Sequence, residues 1–371
     1  MKDGAVADDT RIVAAGETLR YLREHGARTI VLSHLGRPDG TFVPALSLAP
    51  VARQVSAVLG LSVEFAADCV GPLAHEAASS IGDGDIVVLE NVRFHPEEEA
   101  NDDAFARGLA SLGELYVNDA FGTAHRAHAS TEGIAHHLPS VAGFLMEKEL
   151  RALASLTADP RLPFVCVIGG AKVKDKVGVF THLLDRVTAF VIGGGMANTF
   201  LAAQGIDVGR SLRDDDLAPA KAILGFAQAR GVPLHLPTDA VVSTSFDADD
   251  AAQTVVLADV GDRMILDIGP ATAEAYAAVI RGAQTIVFNG PMGVYEKARY
   301  RNGTRIIGEA IADATKRGAT SVVGGGDAAA AAHMLGFDGA MTHVSTGGGA
   351  TLEFLEGKAL PGVVALEEHA A

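Results

Sequence analysis

Basic side chains in the first part of the chain stand where an anion could be gripped. Arg11, His34, Arg37, Arg93 and Arg126 lie at or near the ends of short apolar runs or in loops. Their contexts are Ser33-His34-Leu35-Gly36-Arg37, then Pro38; Asn91-Val92-Arg93; and His125-Arg126-Ala127-His128. Arginine presents a planar fork that takes phosphate or carboxylate in bidentate fashion. Several forks converging would hold a phosphorylated carboxylic acid; any one of them alone is as readily a solvated surface residue. The later part of the chain carries glycine instead. Gly169-Gly170-Ala171-Lys172, Gly193-Gly194-Gly195, Gly290-Pro291 and Gly324-Gly325-Gly326-Asp327 follow apolar runs, and Gly347-Gly348-Gly349 follows Ser345-Thr346 and precedes a helical stretch. Backbone N–H groups at a strand-to-helix turn, helped by the helix dipole, favour phosphate. The first cluster predicts a helix opening directly after a strand, with Lys172 and Lys176 at i, i+4 on one face. It is not a Walker A loop, because that glycine–lysine spacing is absent. Asp327, at a predicted helix start, is an N-cap, a magnesium ligand, or each in a different state.

The elements that must position these residues repeat one pattern: a short apolar run, a glycine or polar cluster, then a helical stretch. Runs at Thr29–Ser33, Asp85–Leu89, Leu115–Val117, Phe164–Ile168, Ala189–Ile192, Thr285–Phe288 and Ser321–Val323 predict strands. Continuous apolar strands alternating with helices indicate parallel sheets covered on both faces. Ligands bind beyond the carboxyl ends of such strands. Two facing sites are therefore expected, one cationic and one of bare backbone. Residues Thr10 to His25 place Ile12, Leu19 and Leu22 on one helical face, and Gly26 is a fitting stop. A charged, Ala/Leu-rich stretch from Leu145 to Leu156, followed by Asp159-Pro160, reads as a connecting helix ended by a breaker.

The length of 371 residues suits two or three domains. No apolar run approaches the roughly 20 residues that span a bilayer, and the polar start is unlike a signal peptide. Cys69 and Cys166 are far apart in apolar stretches, which predicts two buried reduced thiols. The net charge of −16 argues against nucleic-acid or anionic-membrane partners. An anionic substrate must then be drawn by a local basic patch.

Taken together the motifs resemble phosphoglycerate kinase. They are SHLGRP (Ser33 to Pro38), LENVRF (Leu89 to Phe94), NDAFGTAHRAHAST (Asn118 to Thr131), GFLMEKEL (Gly143 to Leu150), GGAKVKDK (Gly169 to Lys176) and IGGGMANTF (Ile192 to Phe200). LDIGP (Leu266 to Pro270), NGPMGVYE (Asn289 to Glu296), GGGDAA (Gly324 to Ala329), STGGGA (Ser345 to Ala350) and LEFLEGKALPGV (Leu352 to Val363) complete the set. The resemblance implies an α/β enzyme of two Rossmann-like three-layer lobes with parallel sheets, joined by a hinge helix. The lobes would be 1–144 and 159–345, the helix 145–158, with 346–371 returning towards the first lobe. The implied activity is reversible phosphoryl transfer from 1,3-bisphosphoglycerate to ADP in glycolysis, giving 3-phosphoglycerate and ATP. It uses Mg2+ in a cytoplasmic monomer, without nucleic-acid or membrane partners. By carry-over, Arg11, His34, Leu35, Gly36, Arg37, Arg93 and Arg126 would bind phosphoglycerate. Gly170, Ala171, Lys176, Asn289, Pro291, Glu296, Gly325, Gly326, Asp327 and Ala328 would bind nucleotide, Asp327 also holding the metal. Arg11, Lys172 and the turn Gly347, Gly348 and Gly349 would serve the moving phosphoryl group. The sequence departs from the family at three points. It opens after the family's first strand and Asp-Phe-Asn turn, so that strand is expected to be absent from the first lobe. Ala328 replaces a usual Ser or Thr, and Phe288 a usual Trp, the latter expected as a packing change. The alternative reading is a non-catalytic nucleotide-binding paralogue or an inactive truncated form.

Overall fold

The computed structural model describes residues 4–247 and 252–369. The extreme ends of the expected first lobe and C-terminal segment lie outside the described residues. The chain divides into two compact units, Met1–Leu150 with Ala359–Ala371, and Arg151–Lys358.

The first unit contains β1 (Thr29–Val31), β2 (Glu64–Ala66), β3 (Ile86–Leu89), β4 (Tyr116–Asn118) and β5 (Ser140–Ala142). The first three form a parallel sheet in the order β1-β3-β2, with Thr29 opposite Ile86 and Ala66 opposite Leu89. β4 and β5 are a separate parallel pair. One core serves both: Val87, Leu89, Phe105, Leu109 and Ile134 are buried, and Ile30, Leu32 and Tyr116 pack against them. β3 is buried at all four positions, so its run IVVL is uninterrupted by polar residues. The chain's last segment belongs to this unit, where Gly362 N–H donates to the Ala124 carbonyl and Ser140 N–H to that of His369, both at 2.9 Å.

The second unit contains β6 (Phe164–Ile168), β7 (Ala189–Ile192), β8 (Leu234–His235), β9 (Asp239–Ser243), β10 (Gln253–Val256), β11 (Met264–Ile268), β12 (Thr285–Asn289), β13 (Thr320–Val323) and β14 (His343–Val344). Six of them form a parallel sheet in the order β14-β13-β12-β6-β7-β8. Its central strands β6, β7 and β12 are buried throughout. Each such Val, Ile or Phe side chain contributes about 1.5–3 kcal/mol by leaving water. The second unit also holds a smaller antiparallel sheet, β10-β9-β11, which the all-parallel expectation did not include. An antiparallel strand needs only one covered face, and β10 is largely exposed, so its run is not continuously apolar. Phe288 is fully buried, with its ring centroid 6.0 Å from that of Phe337.

The helix Phe144–Thr157 begins in the first unit and continues into the second. Its first free N–H groups are held from outside the helix: Thr18 Oγ1 accepts from Phe144 N at 3.0 Å, and Asp119 Oδ1 from Met146 N at 3.1 Å. Both cysteines are buried and unpaired. Burial raises the Cys166 thiol to about 12 and the Cys69 thiol further. Among the described residues no helix is long and apolar enough to cross a membrane.

Candidate active site

In the first unit His34, Arg37 and Arg93 follow β1 and β3, which are neighbours in the sheet, so their carboxyl ends open side by side; Arg126 follows β4, and Arg11 lies in the helix before β1. A buried asparagine binds the two loops. Asn91 Nδ2 donates to the carbonyls of Leu35 at 2.8 Å and Leu46 at 3.0 Å, and its Oδ1 accepts from Arg93 N at 3.1 Å. Arg93 Nη1 then donates to the Gly36 carbonyl at 2.9 Å, and its Nε lies 3.1 Å from Glu99 Oε1. Arg93 is only 4% exposed, yet its Nη2 has no hydrogen-bond partner among the described residues. A buried guanidinium nitrogen left over is a donor waiting for an acceptor. Gly36 adopts φ +68°, and a Cβ there would press on Leu46.

His34 shows where the charges converge. Its imidazole is pushed down to about 3, first by burial and then by Arg93, Arg126, His128 and Arg11. Arg37 lies close enough to Arg93 to lower it as well. The structure therefore brings Arg11, Arg93 and Arg126 near His34, with Arg37 beside Arg93. Arg126 Nε stands 3.2 Å from His125 Nε2, and Arg11 is exposed at the start of the helix Thr10–Glu24. Sequence reasoning did not single out Asn91 or His128 as site residues. The signal for Asn91 was an amide directly after an apolar strand; His128 lay inside a motif already noted.

In the second unit a cavity of about 720 Å3 opens beyond the carboxyl ends of β6, β7 and β12 and is walled along its side by β11. Of the expected nucleotide residues, Gly170, Ala171, Pro291, Glu296 and Asp327 line it. Backbone approach is close enough to demand glycine: a Cβ at Gly169 would collide with the Pro291 carbonyl. Lys176 Nζ donates to the Asn289 carbonyl at 2.7 Å and to Asn289 Oδ1, and burial lowers its pKa to about 8. Asn289 Nδ2 holds the Gly324 carbonyl at 2.8 Å, tying β12 to the turn after β13. Gly325, at φ +97°, is the N-cap of the helix Gly326–Leu335. Asp327 thus sits in the first helical turn rather than at the cap, and its carboxylate has no hydrogen bond or ion pair among the described residues. Ala328 packs into the hydrophobic core. Gly347, Gly348 and Gly349 lead into a short helix, Gly349–Leu355; Gly347 N–H donates to Ser345 Oγ at 3.0 Å. A Cβ at Gly324 would meet Thr351 Cγ2 at 2.8 Å, so the two glycine turns lie against each other.

One expectation is corrected. Lys172 and Lys176 do not share an α-helical face. Residues 169–173 are irregular, Lys174–Lys176 is a 3-10 turn and the α-helix begins at Val177. Asp214 Oδ2 accepts from Val173 N at 2.8 Å, a side-chain partner that helix formation would not supply there. Lys172 is exposed without a protein partner among the described residues.

Comparison with known proteins decides what this pair of sites belongs to. The family description for phosphoglycerate kinase matches residues 1–358. The chain belongs to the phosphoglycerate kinase family. It is 53% identical over 370 residues to phosphoglycerate kinase of Moorella thermoacetica, covering 99% of this chain and 93% of the relative. The relative from Chloroflexus aurantiacus is 52% identical over 369 residues, covering 98% and 92%. The structure of phosphoglycerate kinase from Coxiella burnetii matches with TM-score 0.90 at 40% identity, covering 100% of this chain and 94% of that one. That from Pyrococcus horikoshii matches with TM-score 0.83 at 34% identity, covering 100% and 93%. The family accounts for a mixed α/β chain with parallel sheets in two lobes. This chain is accordingly a kinase of glycolysis, a transferase that binds nucleotide.

Proposed function

We propose that the first unit binds the phosphoglycerate and the second the nucleotide in reversible phosphoryl transfer from 1,3-bisphosphoglycerate to ADP. The observation that carries the assignment is the clustering of Arg11, Arg93 and Arg126 about His34, with Arg37 beside Arg93 and Arg93 Nη2 buried and unpartnered among the described residues. Those forks suit a phosphate and a carboxylate on one small molecule. Leu35 and Gly36 shape the loop that presents His34 and Arg37. In the second unit Gly170, Ala171, Pro291, Glu296 and the turn Gly325–Ala328 are assigned to the nucleotide, with Lys176 and Asn289 bracing it. Phosphoryl transfer needs positioning and charge neutralisation more than covalent catalysis. Arg11, Lys172 and the turn Gly347–Gly349 are assigned to that neutralisation. No general base is required, because a carboxylate attacks or leaves.

The donor set fits Mg2+. Asp327 offers one unpaired carboxylate at the cavity, and Mg2+ is held by one or two carboxylates together with substrate phosphates. When bound, the ion would neutralise charge on the nucleotide phosphates. We assign the lobes to 1–144 and 159–345, the connecting helix to 145–158 and the returning segment to 346–371. The setting is a cytoplasmic monomer.

A coupled assay with 1,3-bisphosphoglycerate, ADP and Mg2+ tests the whole reading. Turnover that is abolished by chelation and severely reduced in Asp327→Ala is expected. A chain that binds ADP but shows no turnover would favour the non-catalytic alternative.

A further inference from the structure

Asp68, Cys69 and His95 meet outside the substrate and nucleotide sites. Their donor atoms, a carboxylate oxygen, a thiol sulfur and an imidazole nitrogen, all lie within 4.8 Å of one another. Among the described residues no other group of three or more such side chains does so. The meeting is made by the sheet. β2 and β3 are parallel neighbours, with Ala66 opposite Leu89. Asp68 and Cys69 follow the carboxyl end of one, and His95 follows that of the other after the turn Val92–Phe94. His95 Nε2 lies 2.8 Å from Asp68 Oδ1, and that oxygen also accepts from Cys69 N at 2.7 Å. The His95 ring packs at 5.2 Å between centroids from Phe105, which fixes its plane. The side chains of His95 and Asp68 are 30% and 38% exposed, whereas Cys69 is fully buried.

We propose that Asp68, Cys69 and His95 form a binding site for a borderline divalent cation of the zinc or cobalt class. The ligand chemistry selects the class. A thiolate and an imidazole suit Zn2+ and Co2+, and are poor ligands for Mg2+. The charges balance: a dication with one carboxylate and one thiolate is a neutral unit, which a half-buried site can hold. The thiol proton leaves to solvent, and the imidazole carries its remaining proton on Nδ1 so that Nε2 binds the ion. Tetrahedral zinc bonds place donor atoms roughly 3.3–3.6 Å apart; the His95 Nε2 to Asp68 Oδ1 pair, now at 2.8 Å, must open slightly, and the Cys69 sulfur, within 4.8 Å of both, must draw in, each by a side-chain rotation. Three protein ligands leave the fourth position to water. The two partly exposed ligands form the way in, and the buried sulfur forms the floor.

Cobalt is the probe, because only a thiolate ligand gives a near-ultraviolet sulfur-to-cobalt charge-transfer band. The chain has two cysteines, and Cys166 lies in β6 of the other unit. Titrating the full chain with Co2+ is expected to raise the band to one equivalent and Zn2+ to abolish it. Cys69→Ser should remove the band, Cys166→Ser should keep it, and His95→Gln, which retains both thiols, should weaken Co2+ binding about tenfold or more. Circular dichroism confirms that each variant is folded. Absence of the band in the folded wild-type chain overturns the proposal. So does a band that survives Cys69→Ser, or unchanged affinity in folded His95→Gln, either of which would leave Asp68 and His95 as an ion pair beside a buried thiol.

Discussion

Replacing Arg126 with alanine probes the anion grip most directly, because this side chain holds little else. It makes no ion pair with a carboxylate among the described residues; its Nε contact is His125 Nε2 at 3.2 Å. Arg93, by contrast, pairs with Glu99 and supports the Gly36 carbonyl, so removing it would mix binding with folding. With Arg126 gone the loss falls on the ligand. A charged hydrogen bond is worth about 1.5–3 kcal/mol, so 3-phosphoglycerate should bind roughly 13- to 160-fold more weakly by calorimetry. ADP affinity should stay as in the wild type. A second readout comes from His34, held at about 3 by burial and then by four neighbours including Arg126. Removing Arg126 raises that value, and so does filling the intact site with an anion. Proton NMR of the His34 ring follows both changes. The sign for stability follows by linkage. A histidine depressed from 6.5 to about 3 is protonated in the unfolded chain first. Its stabilisation is therefore present above 6.5 and lost as pH falls towards 3. Arg126→Ala should shrink that acid loss. Unchanged affinity together with an unmoved His34 would refute the convergence and leave Arg126 a surface residue.

Lys172→Ala should lower turnover by orders of magnitude while ADP affinity changes only a few-fold; since Lys172 has no protein partner among the described residues, intact turnover would remove it from the mechanism. Asn91→Ala should cost roughly 2–5 kcal/mol in denaturant unfolding, because it strands the buried carbonyls of Leu35 and Leu46 and the N–H of Arg93; its phosphoglycerate affinity should fall as well, and a loss of neither would mean that the loops hold themselves. Asp267 is buried and pushed up to about 7, although Gly303 N and Ile268 N both donate to it. A raised carboxyl stabilises fully below 3.8 and loses that contribution as pH rises through about 7. The difference, about 7 minus 3.8, sets a ceiling of roughly 4 kcal/mol. Thermal unfolding of the second unit should weaken across that interval and flatten in Asp267→Asn; an identical pH profile in the variant would show that Asp267 is ionised throughout.

Much of this protein was legible along the chain because the relevant physics is local. Strands buried on both faces must be apolar at every position, so Ile86–Leu89, Phe164–Ile168 and Ala189–Ile192 announce themselves. Turns that bring backbone against backbone or need a positive φ favour glycine, so Gly169 and Gly325 mark the turns after β6 and β13. His34, Arg37 and Arg93, placed after apolar runs, come together because neighbouring parallel strands deliver their carboxyl ends to one edge. The half-exposed strands β2, β5 and β10 escaped notice, since their short runs lack that continuous apolar signature. What only the tertiary structure decided depends on which strands are neighbours. The order β1-β3-β2 sets Asn91 against Leu35 and Leu46, 56 and 45 residues away, and sets His95 against Asp68. The tertiary fold also surrounds His34 with charges from three other segments, shifting a proton equilibrium that no spacing along the chain encodes. Lys172 left its expected helix because Asp214, 41 residues on, captured the Val173 N–H. Local pattern follows from burial and backbone conformation at each residue. The site's electrostatics follow from long-range pairing, which is settled only when the whole sheet forms.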